Sequence, residues 1–165
     1  MVTRGDDFDE FVRGSSTRLL RTAVLLTGDR AAAEDLVQEM YERMYVRWRR
    51  IHSAPEGYAR KTLANLAANR WRSKGRKPEV SLADHDQATP DGSESFAVRD
   101  HLLTALQELP PRQRAVIVLR YYEDLTEAQI ADALGCSLGT VKSQASRGLD
   151  RLRLITEPAI LEGLR

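Results

Sequence analysis

Residues 79–96, EVSLADHDQATPDGSESF, carry no apolar period, and that single stretch decides how the rest of the chain can fold. Asp, Ser, Thr, Pro and Gly at this density favour turns and solvated coil over any regular element. The 165-residue chain is thereby cut into two blocks, 1–78 and 97–157, followed by a short tail, 158–165. Each block has the length of a small bundle and neither can bury a large core alone.

Both blocks read as helix. In the first, Phe8, Phe11, Val12, Leu19, Ala23 and Leu26 recur at three- and four-residue spacing, which predicts a helix over 7–27. Gly28 is a stop and Asp29 a cap for a second helix over 30–48, with Leu36, Val37, Met40, Tyr41, Met44 and Trp48 as its apolar stripe. Ser53-Ala54-Pro55-Glu56 has the form of a capping box with an early proline, so a third helix starts there and runs to about Lys74. Tyr58, Ala59, Thr62, Leu63, Leu66 and Ala67 mark its inner face, while Lys61, Asn65, Asn69 and Arg72 share another.

The second block reads as four helices. Val98, Leu102, Leu103 and Leu106 mark the first, and Pro110-Pro111 opens the next. Thr126-Glu127-Ala128-Gln129 is a capping box for the third, which Gly135 ends and after which Ser137 caps the fourth. No strand-like alternation and no internal repeat is present. The expected fold is all-α: two small helical domains joined by a flexible acidic linker.

The last two helices, joined across Gly135-Cys136-Ser137, have helix-turn-helix spacing. Val141, Ala145, Leu149 and Leu152 form a narrow inward stripe on the second of them. Its other faces carry Lys142, Ser143, Gln144, Ser146, Arg147 and Arg151. Short hydroxyls and a glutamine let a helix approach a groove floor, and Lys and Arg reach guanine edges or phosphates. The competing reading is a plain bundle with a polar outer helix.

Charge sharpens this. The formal net charge is only +1, but residues 47–77 hold ten Lys/Arg against one carboxylate, Glu56, and residues 79–108 hold seven carboxylates against one base, Arg99. A basic segment beside an acidic one points to a polyanionic partner for the first and a spacer role for the second. Asn is a poor residue for a helix interior, and two of them a turn apart beside Arg72 and Arg76 suit hydrogen bonding to nucleotide edges. Trp71 fits either as a stacking partner for an unpaired base or as a packing residue.

Other classes find little support. The one cysteine, Cys136, allows no intrachain disulfide and reads as a small packing residue. His52, His85 and His101 are scattered, no His-Glu-x-x-His or phosphate-binding glycine loop occurs, and no nucleophile sits beside a plausible base. No enzyme activity, metal or cofactor is expected. Nothing resembles a signal peptide or a membrane span, so a cytoplasmic protein without membrane insertion is expected.

Three stretches together resemble a known family. LTGDRAAAEDLVQEMYERMYVRW, PEGYARKTLANLAANRWRSKGRK and LPPRQRAVIVLRYYEDLTEAQIADALGCSLGTVKSQASRGLDRLR are similar, in this order, to conserved regions 2 and 4 of the extracytoplasmic-function (ECF, group IV) sigma factors, in their actinobacterial type. The resemblance implies a sigma region 2 over 1–78, a linker over 79–96 and a sigma region 4 over 97–157. It implies core RNA polymerase as partner through the β′ clamp helices and the β flap, with Asp35, Gln38, Glu39 and Glu42 at the clamp. It places Lys61, Asn65, Asn69, Arg72, Lys74, Arg76 and Lys77 on the −10 element, the two asparagines lining the pocket for a flipped base. It places Lys142, Ser143, Gln144, Ser146, Arg147 and Arg151 on the −35 duplex. The family often has Asp at the position of Asn69 and more arginine at 73–75, departures that bear on which −10 sequence is preferred.

The expectation is therefore a sigma factor, monomeric when free, that binds polymerase and directs initiation from promoter DNA. Many members are held inactive by an anti-sigma factor, and whether this one is stays open. The absence of a long extension after Arg153 argues against a built-in regulatory domain. The alternatives are a stand-alone helix-turn-helix regulator, which leaves the Asn/Arg helix without a purpose, and a decoy that occupies polymerase without initiating.

Overall fold

The computed structural model describes residues 4–73 and 93–156, with the backbone alone for Arg4, Arg72 and residues 93–98. Every regular element among them is helical: α1 (Arg4–Thr27), α2 (Arg30–Ile51), α3 (Pro55–Ser73), α4 (Ser93–Gln107), α5 (Pro111–Ile117), α6 (Glu127–Leu134) and α7 (Leu138–Ile155).

The boundaries follow local chemistry. Gly28 ends α1 at φ 73°, a left-handed geometry that disfavours a side chain, and a Cβ there would also displace the Gln107 side chain, 2.3 Å away. Asp29 then caps α2 by accepting from the Ala32 amide. The capping box at α6 is complete, with Thr126 accepting from the Gln129 amide and Gln129 from the Thr126 amide. Gly135 closes α6 at φ 62°, and Ser137 caps α7 by accepting from the Thr140 amide.

Two expectations need correction. The reciprocal bonds of a capping box at residues 53–56 do not form: α3 starts at Pro55 as expected, but Glu56 turns to Arg18 and Arg60. A charged partner on another helix competes successfully with a local backbone amide. The helix α4 starts at Ser93, inside the stretch assigned to the linker, so residues 93–96 are helical. Residues 74–92 and 157–165, most of the linker and the C-terminal tail, lie outside the described residues.

In the first half, α1 packs on α2 and α3 around Leu19, Ala23, Leu26, Leu36, Met40, Met44 and Leu63. Phe8 sets its ring edge-on to Tyr41 (6.2 Å between centroids) and Trp48 (5.1 Å), pairs worth about 0.5–1.5 kcal/mol each beyond their burial. The buried Tyr41 hydroxyl lies 2.9 Å from Ser15 Oγ, whose own proton goes to the Phe11 carbonyl. Burial pushes the Tyr41 phenol above its ordinary value.

In the second half, α5 runs straight into a π-helical turn, Val118–Tyr122, closed by the Glu123 amide on the Val118 carbonyl at 3.1 Å. Asp124 follows at φ 53°. The helix-turn-helix α6–α7 then packs back on α5, where Gly148 lets α7 approach. A Cβ at Gly148 would meet Ile117 Cγ1 at 2.9 Å.

The halves do not hang apart. Leu19, Ala23 and Leu26 of α1 share one buried cluster with Leu102, Leu106, Leu109, Ile117 and Leu152. Ala64 of α3 is buried in a second cluster with Val116, Leu119, Ile130, Val141 and Ala145.

Candidate nucleic-acid interface

The outer face of α7 is polar by construction. Val141, Ala145, Gly148 and Leu152 are buried against α5 and α6, so the helix turns Lys142, Ser143, Ser146, Arg147 and Arg151 to solvent. Leu149, expected inside, is only half-buried, and Gly148 takes its place at the closest approach. Gln144 is half-buried and lines a groove with Arg147, Ala68 and Trp71. Ser143 Oγ donates to the Thr140 carbonyl at 3.1 Å, and Lys142 Nζ lies 3.9 Å from Glu127. Both interactions are weak enough to exchange for DNA groups. Arg147 and Arg151 keep the length and charge needed to reach a base edge or a phosphate.

On α3, Asn69 is exposed while Asn65 and Lys61 are half-buried. Lys61 Nζ pairs with Asp132 of α6 at 3.1 Å. Lys74, Arg76 and Lys77 fall outside the described residues, as does the Arg72 side chain. Trp71 is half-buried beneath the Arg114 guanidinium, 4.2 Å from its ring centroid. Of its two sequence readings, the packing role describes this arrangement.

On α2, Asp35, Gln38 and Glu42 are exposed, with Gln38 donating to Glu42 at 3.4 Å. Glu39 is tied down more firmly, by Arg43 at 2.7 Å and Arg70 at 3.5 Å. These carboxylates share the outer side of one helix, away from the α1–α2 core.

Sequence reasoning missed Ala64, Arg114, Glu123 and Gly148. Ala64 lies on the basic side of α3 and is buried only because the other half covers it. Arg114 is 1% exposed, and nothing in its neighbouring residues marks an arginine as buried. Only Gly148 left a signal, as a glycine inside a strong helical period.

The arrangement is a helix-turn-helix with an open polar reading face, beside a second basic helix bearing amides. Residues 11–77 match Sigma-70 region 2, and residues 99–152 match Sigma-70, region 4. The chain belongs to the sigma-70 family, in its ECF branch. It is 36% identical over 149 residues to the RNA polymerase sigma-E factor of Streptomyces coelicolor, covering 89% of this chain and 84% of that one. It is 39% identical over 146 residues to the ECF RNA polymerase sigma factor SigL of Mycobacterium tuberculosis, covering 82% and 81%. Among solved structures, the sigma factor RpoE of Bartonella quintana, crystallised with the anti-sigma factor NepR, matches with a TM-score of 0.72 at 25% identity, over 90% of this chain and 96% of that one.

As a sigma factor the protein directs RNA polymerase to promoters. The region 2 match accounts for the half that a stand-alone helix-turn-helix regulator leaves unexplained. No helix among the described residues is long and apolar enough to cross a membrane.

Proposed function

We propose that this sigma factor docks on core polymerase through the α2 face bearing Asp35, Gln38, Glu39 and Glu42, and that its two halves divide promoter reading between them. The α7 face reads the −35 duplex: Lys142 and Arg151 take phosphates, while Ser143, Gln144, Ser146 and Arg147 approach base edges. This divides contacts into those that position and those that specify. The α3 face, with Asn65 and Asn69 flanked by Lys61, Arg72, Lys74, Arg76 and Lys77, takes an unpaired −10 base and its backbone. Capturing an unpaired base makes binding energy favour the open duplex, so strand opening needs no catalytic residue and no nucleotide hydrolysis by this chain.

The observation that carries the reading is the α7 face: bases and short polar groups exposed on one side, an unbroken buried seam on the other, on the second helix of a capped helix-turn-helix. The region 4 match covers the same helix. The working location is the cytoplasm, where polymerase and DNA are. An anti-sigma partner is a further proposal, supported by the one bound to the Bartonella sigma factor.

Run-off transcription with core polymerase and promoters randomised at −35 and −10 tests the reading. Specific initiation from a subset is expected. Stable polymerase binding without initiation would make the protein a decoy. Tight duplex binding without polymerase, and no initiation, would return the stand-alone regulator.

A further inference from the structure

We infer that Glu127, at the start of α6, is a specificity residue that acts through Lys142: it steers the lysine on the reading helix and withholds its charge from DNA of the wrong sequence. This rests on the −35 reading of α7 proposed above and adds a positioning residue from outside that face.

Two anchors make Glu127 the fixed member of the pair. It is the first residue after Thr126 in the complete capping box, so its main chain is set. Its side chain is set by Arg120, whose Nη1 donates to Glu127 Oε1 at 2.5 Å. Arg120 is carried by the π-helical turn Val118–Tyr122, and its guanidinium lies 5.7 Å from the Tyr121 ring centroid. The other carboxylate oxygen, Oε2, faces Lys142 Nζ of α7 at 3.9 Å. Lys142 is the mobile member, 61% exposed against 27% for Glu127, on a flexible stem of four carbons. An acidic residue in a first helical turn also suits the helix dipole. That accounts for a charge at position 127, but not for two cations from two other elements dividing its oxygens.

The size of the effect decides what the pair does. An ion pair this exposed adds little to fold stability. Its effect is on where the ammonium sits and how much of its charge a phosphate meets. Binding to DNA of any sequence comes almost wholly from cations on phosphates, and a carboxylate beside a reading helix works against it. Lys142 must leave Glu127 before it can take a phosphate. On a matching −35 duplex the base contacts of α7 fix the register, and Lys142 exchanges Glu127 for the phosphate presented there. On other sequences no register is fixed, and the cost of leaving Glu127 stands. A contact that penalises the wrong partner raises specificity without raising affinity.

The test is binding of the holoenzyme, across a salt series, to a promoter with a matching −35 element and to the same promoter with that element scrambled. Glu127→Gln keeps the side-chain length and an acceptor for Arg120, and removes the charge. It is expected to bind the scrambled promoter more tightly, with a logarithmic salt slope steeper by up to about 0.9. Discrimination between the two promoters is expected to fall roughly two- to tenfold, the range for freeing one long side chain. Glu127→Asp keeps the charge and is expected to recover most of that discrimination. Lys142→Ala supplies the second arm: in that background Glu127→Gln is expected to change neither slope nor discrimination. A merely structural role for Glu127 would weaken binding to both promoters alike and leave the salt slope as it was. That result, no change at all, or the same effect with and without Lys142 overturns the inference. Wild-type holoenzyme that does not distinguish the two promoters would instead overturn the −35 reading of α7, and this inference with it.

Discussion

Replacing Arg114 with methionine removes a guanidinium on which the ends of α1 and α4 converge. Its Nε donates to the Leu106 carbonyl at 2.8 Å, Nη1 to Leu26 at 2.9 Å, and Nη2 to Leu109 at 3.0 Å and Gln107 at 3.2 Å. These carbonyls belong to the C-terminal ends of α1 and α4 and the turn after α4, where backbone acceptors lack helical donors and the dipole is negative. Among the described residues no carboxylate pairs with it; helix ends take that place. Burial pulls the guanidinium down to about 10, which leaves it charged at neutral pH. Summing four charge-assisted bonds at about 1.5–3 kcal/mol each overstates the effect, because desolvating the charge opposes them. Breaking such a buried, satisfied arrangement costs about 3–5 kcal/mol. At about 2–4 °C per kcal/mol for a chain of this size, Tm falls by roughly 6–20 °C. Arg114→Lys has a single ammonium in place of a planar fork and recovers less than half of that. Urea and thermal denaturation followed by circular dichroism measure both. A methionine variant within about 1 kcal/mol of wild type, or full recovery by lysine, refutes the reasoning.

Gly148→Ala drives a methyl group into Ile117, and the α5–α7 seam should lose about 1–3 kcal/mol in the same denaturation assay. Tyr41 supplies a pH test. Its phenol titrates higher in the fold than in the unfolded chain, so above about pH 10 the unfolded state releases its proton first and stability falls as pH rises. Wild type should lose stability more steeply than Tyr41→Phe between about pH 10 and 11, by up to about 1.4 kcal/mol per unit; parallel slopes would remove Tyr41 as the cause. Arg147→Ala should weaken −35 discrimination by about 1–3 kcal/mol in promoter-variant transcription, if its contact is bidentate. Asn65→Ala and Asn69→Ala should impair promoter opening, read by permanganate reactivity of unpaired thymines, while polymerase affinity holds; equal loss of both would move these residues out of the base pocket.

Features under the control of local chemistry and period could be read from the residues alone. The stop at Gly28, the caps at Asp29, Thr126 and Ser137, the turn at Gly135 and the apolar stripes of α1 and α2 were all legible, because each is decided within a few residues of itself. So was the polar face of α7, since a helix that buries Val141, Ala145 and Leu152 must expose the residues between them. The rest depends on which helices meet in three dimensions. Glu56 forms no local cap because Arg18 arrives from α1 to pair with it. Arg114 is internal because the ends of α1 and α4 meet around it, and Ala64 is core because α3 lies under the other half. Glu123 is buried because its donors come from residues 18, 22 and 60, more than sixty positions away along the chain. Periodicity reports which side of a helix avoids water. It carries no information on which distant helix covers that side, and in this protein that pairing is what buries Ala64, Arg114 and the Glu123 side chain.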